Sequence, residues 1–450
     1  MELDIKEKEK PREGSGIIAA LALLAVLLTI GCAVAIGFAV HGHNKGVDDR
    51  REMGRMEEMV KHLKEEENDA TILRYTWDDE VENMSADEYE EFKKRVMAEL
   101  LKQDRNVEIE ALSLKSQYAR YMGFGKEVLL RHGPGPCRKV GGAEGGSEDL
   151  TILKNGLMFM TSGYYAKFEG KILMYNFHKP YEPVKGLTIV KGQDSHFDLS
   201  NFHPHGMSSW EEDGETYVYA VSHPPTEDVV EMFHFNSSSQ ILTHMRNFSS
   251  PNFNYMNDFV MVSKESFYIT KFWRWRDFVR IRLEVRLLAR FGEIMFFDGT
   301  DAKTLISGLV MPNGINMSPD GKYVYVAEFG DLKLRTYKRD ITDNSLTELE
   351  VETGVDNIEV DPITGDMWIG CHPILHKLWE YDARGATGLT PSQVIRVKVK
   401  DGKIQDMIET YVNDGTEIPG STSASFYNGK MVIGALAAEH IIVCDALAID

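Results

Sequence analysis

The chain has 450 residues, enough for one large domain with appendages or for two domains. Its 43% hydrophobic content supports a sizeable core and excludes wholesale disorder. A formal charge of -20 opposes general binding to a nucleic-acid backbone, so nucleic acid is excluded as a partner.

Residues 1–15 are expected to form a short cytosolic tail. Gly16 to Val40 carries no formal charge and is dense in Leu, Ala, Val and Ile. As a helix it would span about 37 Å, enough to cross a hydrocarbon core with some tilt. The expectation is a transmembrane signal-anchor over 16–40. A cleaved signal peptide is the alternative, opposed by the length of the run and by small residues scattered without one clear cleavage site. Lys6, Lys8, Lys10 and Arg12 before the run nearly balance Lys45, Arg50, Arg51 and Arg55 after it, so flanking charge does not set the orientation. Acceptor patterns at Asn83, Asn236, Asn247 and Asn316 favour a glycosylated lumenal or extracellular C-terminal part. The expected topology is a single-pass type II membrane protein of the endoplasmic reticulum or plasma membrane, with the lipid bilayer as partner.

Residues 41–129 are charged. Met53, Met56 and Met59 lie on one helical stripe, Glu65, Glu66 and Glu67 form an acidic patch, and Ala86 to Leu101 reads as another helix. The segment is expected to be a helical juxtamembrane stalk, with a dedicated binding module as the alternative. From about residue 130 the texture changes: Gly- and Pro-rich turns separate short apolar runs at Gly156 to Met160, Lys171 to Phe177, Thr216 to Val221, Ser266 to Thr270, Tyr323 to Ala327, Glu359 to Val360, Met367 to Gly370 and Met431 to Leu436. Short strands with frequent turns predict a sheet-rich sandwich or propeller rather than helical repeats. Ser318-Pro319-Asp320-Gly321 before Tyr323 and Asp361-Pro362-Ile363-Thr364-Gly365 before Met367 each read as the turn of an antiparallel hairpin. No strict repeat period counts the units.

Four polar clusters interrupt the apolar runs and read as turns: Glu148-Asp149, Asn257-Asp258, Asn313 and Asp356-Asn357. Carboxylate and amide oxygens suit calcium rather than zinc, although Asn and Asp are also ordinary turn residues. His205, in Phe202-His203-Pro204-His205-Gly206-Met207, and His223 could serve as general base and proton relay or simply fill strand ends. The absence of HExxH and GxSxG argues against a zincin and against a serine hydrolase. Of the four cysteines, Cys32 lies in the apolar run, so the remainder forms at most one pair. The absence of CxxC argues against a cysteine zinc cluster and a thioredoxin-like site.

These clusters, in order, resemble the paraoxonase/arylesterase family over roughly residues 130 to 450. The stretches that carry the resemblance are Gly146-Ser147-Glu148-Asp149-Leu150, Pro204-His205-Gly206-Met207-Ser208, Asn257-Asp258, Asn313-Gly314-Ile315-Asn316-Met317-Ser318-Pro319-Asp320-Gly321, Asp356-Asn357, Asp361 to Asp366 and Gly370-Cys371-His372-Pro373. The resemblance implies an all-β, six-bladed β-propeller over 130–450 with two calcium ions in its central tunnel. Glu148, Asn257, Asn313, Asp356 and Asn357 would surround the catalytic calcium; Asp149, the backbone oxygen of Met207, and Asp258 would hold the deeper ion. It further implies a Cys137–Cys444 disulfide, a free Cys371, and activation of water by His205 and His223, with Glu148 and Asp356 in the catalytic constellation. The implied activity is calcium-dependent hydrolysis of aryl esters or lactones.

Two departures bear on that activity. After Thr161-Ser162-Gly163 the loop to Gly170 is shorter than the family's, which predicts an exposed site. Thr270 to Arg276 is cationic and aromatic where the family has Asn, Asp and His near the pocket, and the segment through Arg290 reads either as a basic amphipathic surface for a membrane or membrane partner, or as a solvated excursion. These features keep a second function open: a membrane-bound chaperone or accessory factor, with an ion channel or other membrane protein as client.

Overall fold

A computed structural model of the chain describes residues 116–446, apart from 129, 166, 194, 226 and 342–344. Six sheets, antiparallel except for one edge strand, follow one another along the chain. Their innermost strands are Leu150–Ile152, Pro204–Glu212, Met256–Met261, Pro312–Met317, Gly354–Val360 and Ser421–Tyr427. Each touches the next, and the last touches the first, so the six blades close a ring around a central tunnel. The six-bladed propeller expected from the resemblance is the observed fold.

Each blade is sandwiched between two others, so its second strand is buried on both faces. Leu157–Ser162, Tyr323–Glu328 and Met367–His372 accordingly read as near-continuous apolar runs. The core is therefore a set of layers between blades. Phe159, Phe202 and Phe233 fill the first junction, and Phe248, Phe267 and Phe297 the second. Between the last two blades Trp368 stacks on Phe426 with centroids 5.2 Å apart. The two predicted hairpins are present: Pro312–Met317 pairs with Tyr323–Glu328, and Gly354–Val360 with Met367–His372.

The second blade carries a fifth strand, Thr188–Lys191, lying parallel to Ile241–Phe248. A buried polar brace secures it. Ser195 Oγ lies 2.7 Å from His244 Nδ1, and His244 Nε2 lies 2.8 Å from Glu231 Oε2. These are the atom types of a nucleophilic triad, but the imidazole is clasped between Phe197 and Phe233, and Ser195 Oγ also accepts the Phe197 N–H. The brace is structural.

Ring closure is covalent. The sixth blade takes its outermost strand, Cys137–Gly141, from the N-terminal side, paired with His440–Asp445 so that Cys137 faces Cys444. These two form the expected disulfide across 307 residues, and Cys371 is a buried free thiol. Of the acceptor asparagines, Asn236 and Asn247 are exposed, whereas Asn316 is half-buried and donates to the Ile358 carbonyl. Asn83 lies outside the described residues.

The expected membrane attachment is corrected. No helix among the described residues is long and apolar enough to cross a membrane. The span placed at 16–40 and the stalk up to residue 115 lie outside the described residues. What is described of the stalk does not act as a spacer: the compact propeller unit begins at Tyr118. Helical residues 118–122 bury Tyr121 and Met122 against Val310, Met311, Phe329 and Leu375, and Arg120 pairs with Glu350 and Glu352. The single-pass type II topology, the placement in the endoplasmic reticulum or plasma membrane, and the lipid bilayer as partner accordingly lose their structural footing.

A crosslink over so long a loop contributes about 5 kcal/mol in the chain-entropy model. Replacing both Cys137 and Cys444 by Ala should lower the denaturant midpoint markedly, and reductant should do the same to the unaltered protein. An unchanged midpoint in both cases would count against a closing role for the bond.

Candidate active site

The site is built from one device used around the ring. On five innermost strands the ladder to the second strand slips where the polar residues stand: between Pro204 and Met207, Met256 and Phe259, Pro312 and Ile315, Val355 and Ile358, and Ser421 and Ser423. Each slip is a β-bulge, which frees one or two residues from pairing and re-aims their side chains. His205-Gly206, Asn257-Asp258, Asn313-Gly314, Asp356-Asn357 and Thr422 are the freed residues. Three of the four clusters that read as turns are bulges within strands, whereas Glu148-Asp149 lies in the loop just before Leu150–Ile152.

Neighbouring bulges are packed backbone to backbone. A Cβ on Gly206 would stand 2.4 Å from the Asn257 carbonyl oxygen, and one on Gly314 would stand 2.5 Å from that of Asp356. Only glycine admits this approach. Side-chain clips join the same blades: Asp149 accepts from the Met207 N–H at 2.7 Å, Asp258 from the Ile315 N–H at 2.8 Å, and Thr422 Oγ1 donates to the Glu148 carbonyl.

The consequence is a group of oxygens sealed from water. Glu148 Oε2, Asn257 Oδ1, Asn313 Oδ1, Asp356 Oδ1 and Asn357 Oδ1 are buried without a hydrogen-bond partner; among the described residues Thr390 Oγ1 is the other such side-chain oxygen. Each orphaned group costs about 1–3 kcal/mol, and the set fits a cation. In three of the five the other polar atom is engaged: Asn357 Nδ2 donates to Glu148 Oε1 at 3.1 Å, and Asp356 Oδ2 lies 2.7 Å from His372 Nε2. Burial pushes the Asp356 carboxyl up, with Glu148 adding to the shift and His372 opposing it. No three His, Cys, Asp or Glu side chains form a metal cluster among the described residues. The donors here are mainly amide and carboxylate oxygens, which suit a hard cation such as calcium.

The deeper trio fits an ion less directly. Asp149 and Asp258 each accept two backbone N–H bonds, from Leu150 and Met207 and from Phe259 and Ile315. Burial, then the charge of Glu148 on one and of Asp149 on the other, pushes both carboxyls well up. The bonds from Met207 and Ile315 clip neighbouring blades together.

Beside the upper oxygens stand the two predicted histidines. His205 Nε2 is 3.5 Å from Glu148 Oε1, and His205 Nδ1 is 3.0 Å from His223 Nε2. Behind them lies Asp228, 1% exposed, 2.9 Å from His223 Nδ1 and 2.5 Å from Arg276 Nη2. Asp228, Arg276 and the Asp356 partner His372 are site residues that sequence reasoning missed. Asp228 sits in an unremarkable loop, while the adjacency of Cys371 and His372 drew attention to the thiol. Burial and then Asp228 act oppositely on His223, and burial prevails, pushing it down. For His205 burial is outweighed by the Glu148 carboxylate, which pushes it up.

The short loop after Gly163 does not expose the site. Tyr164 packs on His205 with centroids 4.6 Å apart, Tyr165 donates to Asp382 on the helix Leu375–Ala383, and Tyr255 packs on His223. Aromatic bulk replaces loop length, and Glu148 and Asp356 are buried. The basic segment is also drawn inward. Its helix, Phe278–Leu287, sets Ile281 and Val285 into the core, Arg280 lies over Trp275, and Arg290 pairs with Asp331. Glu284, pushed up to about 7 by burial, takes the N–H groups of Arg274 and Trp275. An apolar face spent on the core is not a membrane face, so the amphipathic-surface reading and the membrane-protein client that rested on it are corrected.

Comparison with known proteins gives a consistent result. The family model described as Arylesterase matches residues 133–446. Serum paraoxonase/arylesterase 1 of Homo sapiens is 36% identical over 311 residues, covering 67% of this chain and 86% of the relative. Serum paraoxonase/lactonase 3 of Rattus norvegicus is 33% identical, covering 67% and 87%. Among solved structures, the calcium-binding protein regucalcin of Agrobacterium tumefaciens strain C58 is 14% identical with a TM-score of 0.41, covering 70% of this chain and 95% of that one, a likeness too distant to bear on ligands.

The bulge packing predicts a sharp contrast between glycines. Gly314→Ala should lower the thermal midpoint by the equivalent of about 1–3 kcal/mol, because backbone atoms must move. Gly141→Ala, with open space around its Cβ, should leave it nearly unchanged. Equal effects at the two positions would contradict the close approach.

Proposed function

We propose, from the premise that this chain belongs to the paraoxonase/arylesterase family and is at that level a hydrolase of the arylesterase and lactonase type, that it cleaves aryl esters or lactones at the head of its tunnel with calcium as cofactor. The observation that carries this reading is the set of five orphaned oxygens beside a hydrogen-bonded histidine pair. Glu148, Asn257, Asn313, Asp356 and Asn357 would hold the catalytic calcium. Asp149, the Met207 carbonyl and Asp258 would hold the second ion. When bound, calcium supplies the positive charge that polarises an ester carbonyl and stabilises oxyanion charge.

The protein's own groups supply the proton chemistry. His205, nearest Glu148, takes a proton from the attacking water as its oxygen bonds to the carbonyl carbon. The same proton then passes to the leaving oxygen as the ester C–O bond breaks. A cation held by Glu148 would weaken that carboxylate's pull on His205 and favour the free base. His372 holds Asp356 in one orientation, as a carboxylate-bound histidine does around metal sites. Tyr164 and Tyr255 wall the histidines from bulk water, which strengthens every charge interaction inside.

The test is hydrolysis of aryl esters and a range of lactones by the purified full chain. His205→Gln should reduce kcat by roughly 100-fold or more with the fold retained. Chelation of calcium should abolish turnover and lower the thermal midpoint, both restored by calcium. Calcium-loaded protein that turns over none of these substrates would refute the reading.

A further inference from the structure

We infer that Asp228, clamped by Arg276, is a positioning residue that sets the tautomers of the histidine pair so that the free lone pair of His205 points into the tunnel. The inference rests on the hydrolytic reading above, and adds to it the element that makes one histidine the base. Asp228 is a carboxylate with three donors around it: His223 Nδ1 at 2.9 Å and Arg276 Nη2 at 2.5 Å on Oδ1, and the Met256 N–H at 2.9 Å on Oδ2. Such a group stays ionised and can only accept. Burial alone would push Asp228 up, but His223 and Arg276 overcome it and hold the carboxyl below its ordinary range.

The rest follows from hydrogen-bond bookkeeping along the chain of rings. Facing an acceptor, neutral His223 must carry its proton on Nδ1, which leaves a lone pair on Nε2. That lone pair lies 3.0 Å from His205 Nδ1. His205 must therefore donate from Nδ1, and its own lone pair falls on Nε2, the atom on the Glu148 side. Removing the carboxylate frees both rings to adopt the opposite tautomer, with an N–H where the base should be.

Arg276 completes the device. Its Nε donates to Asn254 Oδ1 at 3.1 Å, so the guanidinium is fixed from both sides. It also lines a surface cavity of about 670 Å3 with Phe253, Asn254 and Ser250. Arg276 belongs to the cationic stretch that departs from the family pattern. Its role here is an inward one.

The experiment uses full-length protein with 15N-labelled histidine, alongside ester and lactone kinetics. Nitrogen shifts should show Nδ1–H tautomers at both His205 and His223, and Asp228→Asn should move His223 toward Nε2–H. The same variant should lose roughly 100-fold in kcat with KM little changed. Asp228→Ala should regain activity on addition of formate, whereas His205→Gln should not, and Arg276→Met should fall between. An Nε2–H tautomer at His223 in the unaltered protein overturns the inference, as does an active protein whose kcat is indifferent to Asp228→Asn. If the unaltered protein hydrolyses nothing, the functional reading fails and the tautomers alone decide the positioning role. They also decide it if Asp228→Asn folds poorly.

Discussion

Everything at the centre of this molecule depends on the cost of burying oxygen atoms. Six strands converge so closely that the backbone of one bulge touches the next, and the oxygens that the bulges point inward are buried. Glycine at positions 206 and 314 permits that approach, and the slipped ladders supply the side chains. The result is a cluster that protein alone leaves unsatisfied. Fold and the proposed cofactor are thus coupled: the sheet geometry that closes the ring also buries oxygens that a positive charge would satisfy.

Chemistry is layered outward from that cluster. The first layer is oxygen, the second is imidazole, and the third is the pair Asp228 and Arg276 with His372 on the opposite side. Each layer restricts the one inside it to a single orientation, which is what a site needs to act without reorganising. Aromatic rings then close the top. Tyr164 over His205 and Tyr255 over His223 do with bulk what a longer loop does with length.

How much of this was legible in the sequence follows from where the apolar patterns survive. The second strands, such as Tyr323–Glu328 and Met367–His372, are buried on both faces and announce themselves as apolar runs. The innermost strands were mistaken for turns, because a pair such as Asn257-Asp258 or Asp356-Asn357 breaks alternation where the bulge lies. Site residues with a local signature, among them Glu148, His205 and Asn313, were visible through ordered motifs. Asp228 was not: it shares a loop with His223 but has no motif of its own, and Arg276 reaches it from a separate loop. The arginines of the segment through Arg290 misled in the opposite sense. Periodicity shows an amphipathic helix, but whether its apolar face meets lipid or core is decided by tertiary packing, here by Ile281 and Val285 against the propeller.

The seam between Cys137 and Cys444 also imposes an order on biosynthesis. The outermost strand of the sixth blade is among the first parts of the propeller to leave the ribosome, yet its partner strand is made 307 residues later. At about 5–20 residues per second that interval is on the order of 15 to 60 seconds. For all of it Cys137 has an unpaired thiol, the strand Cys137–Gly141 has an open edge, and the five completed blades have an unsealed gap. A chain built this way needs its surroundings to delay oxidation and edge pairing until translation ends.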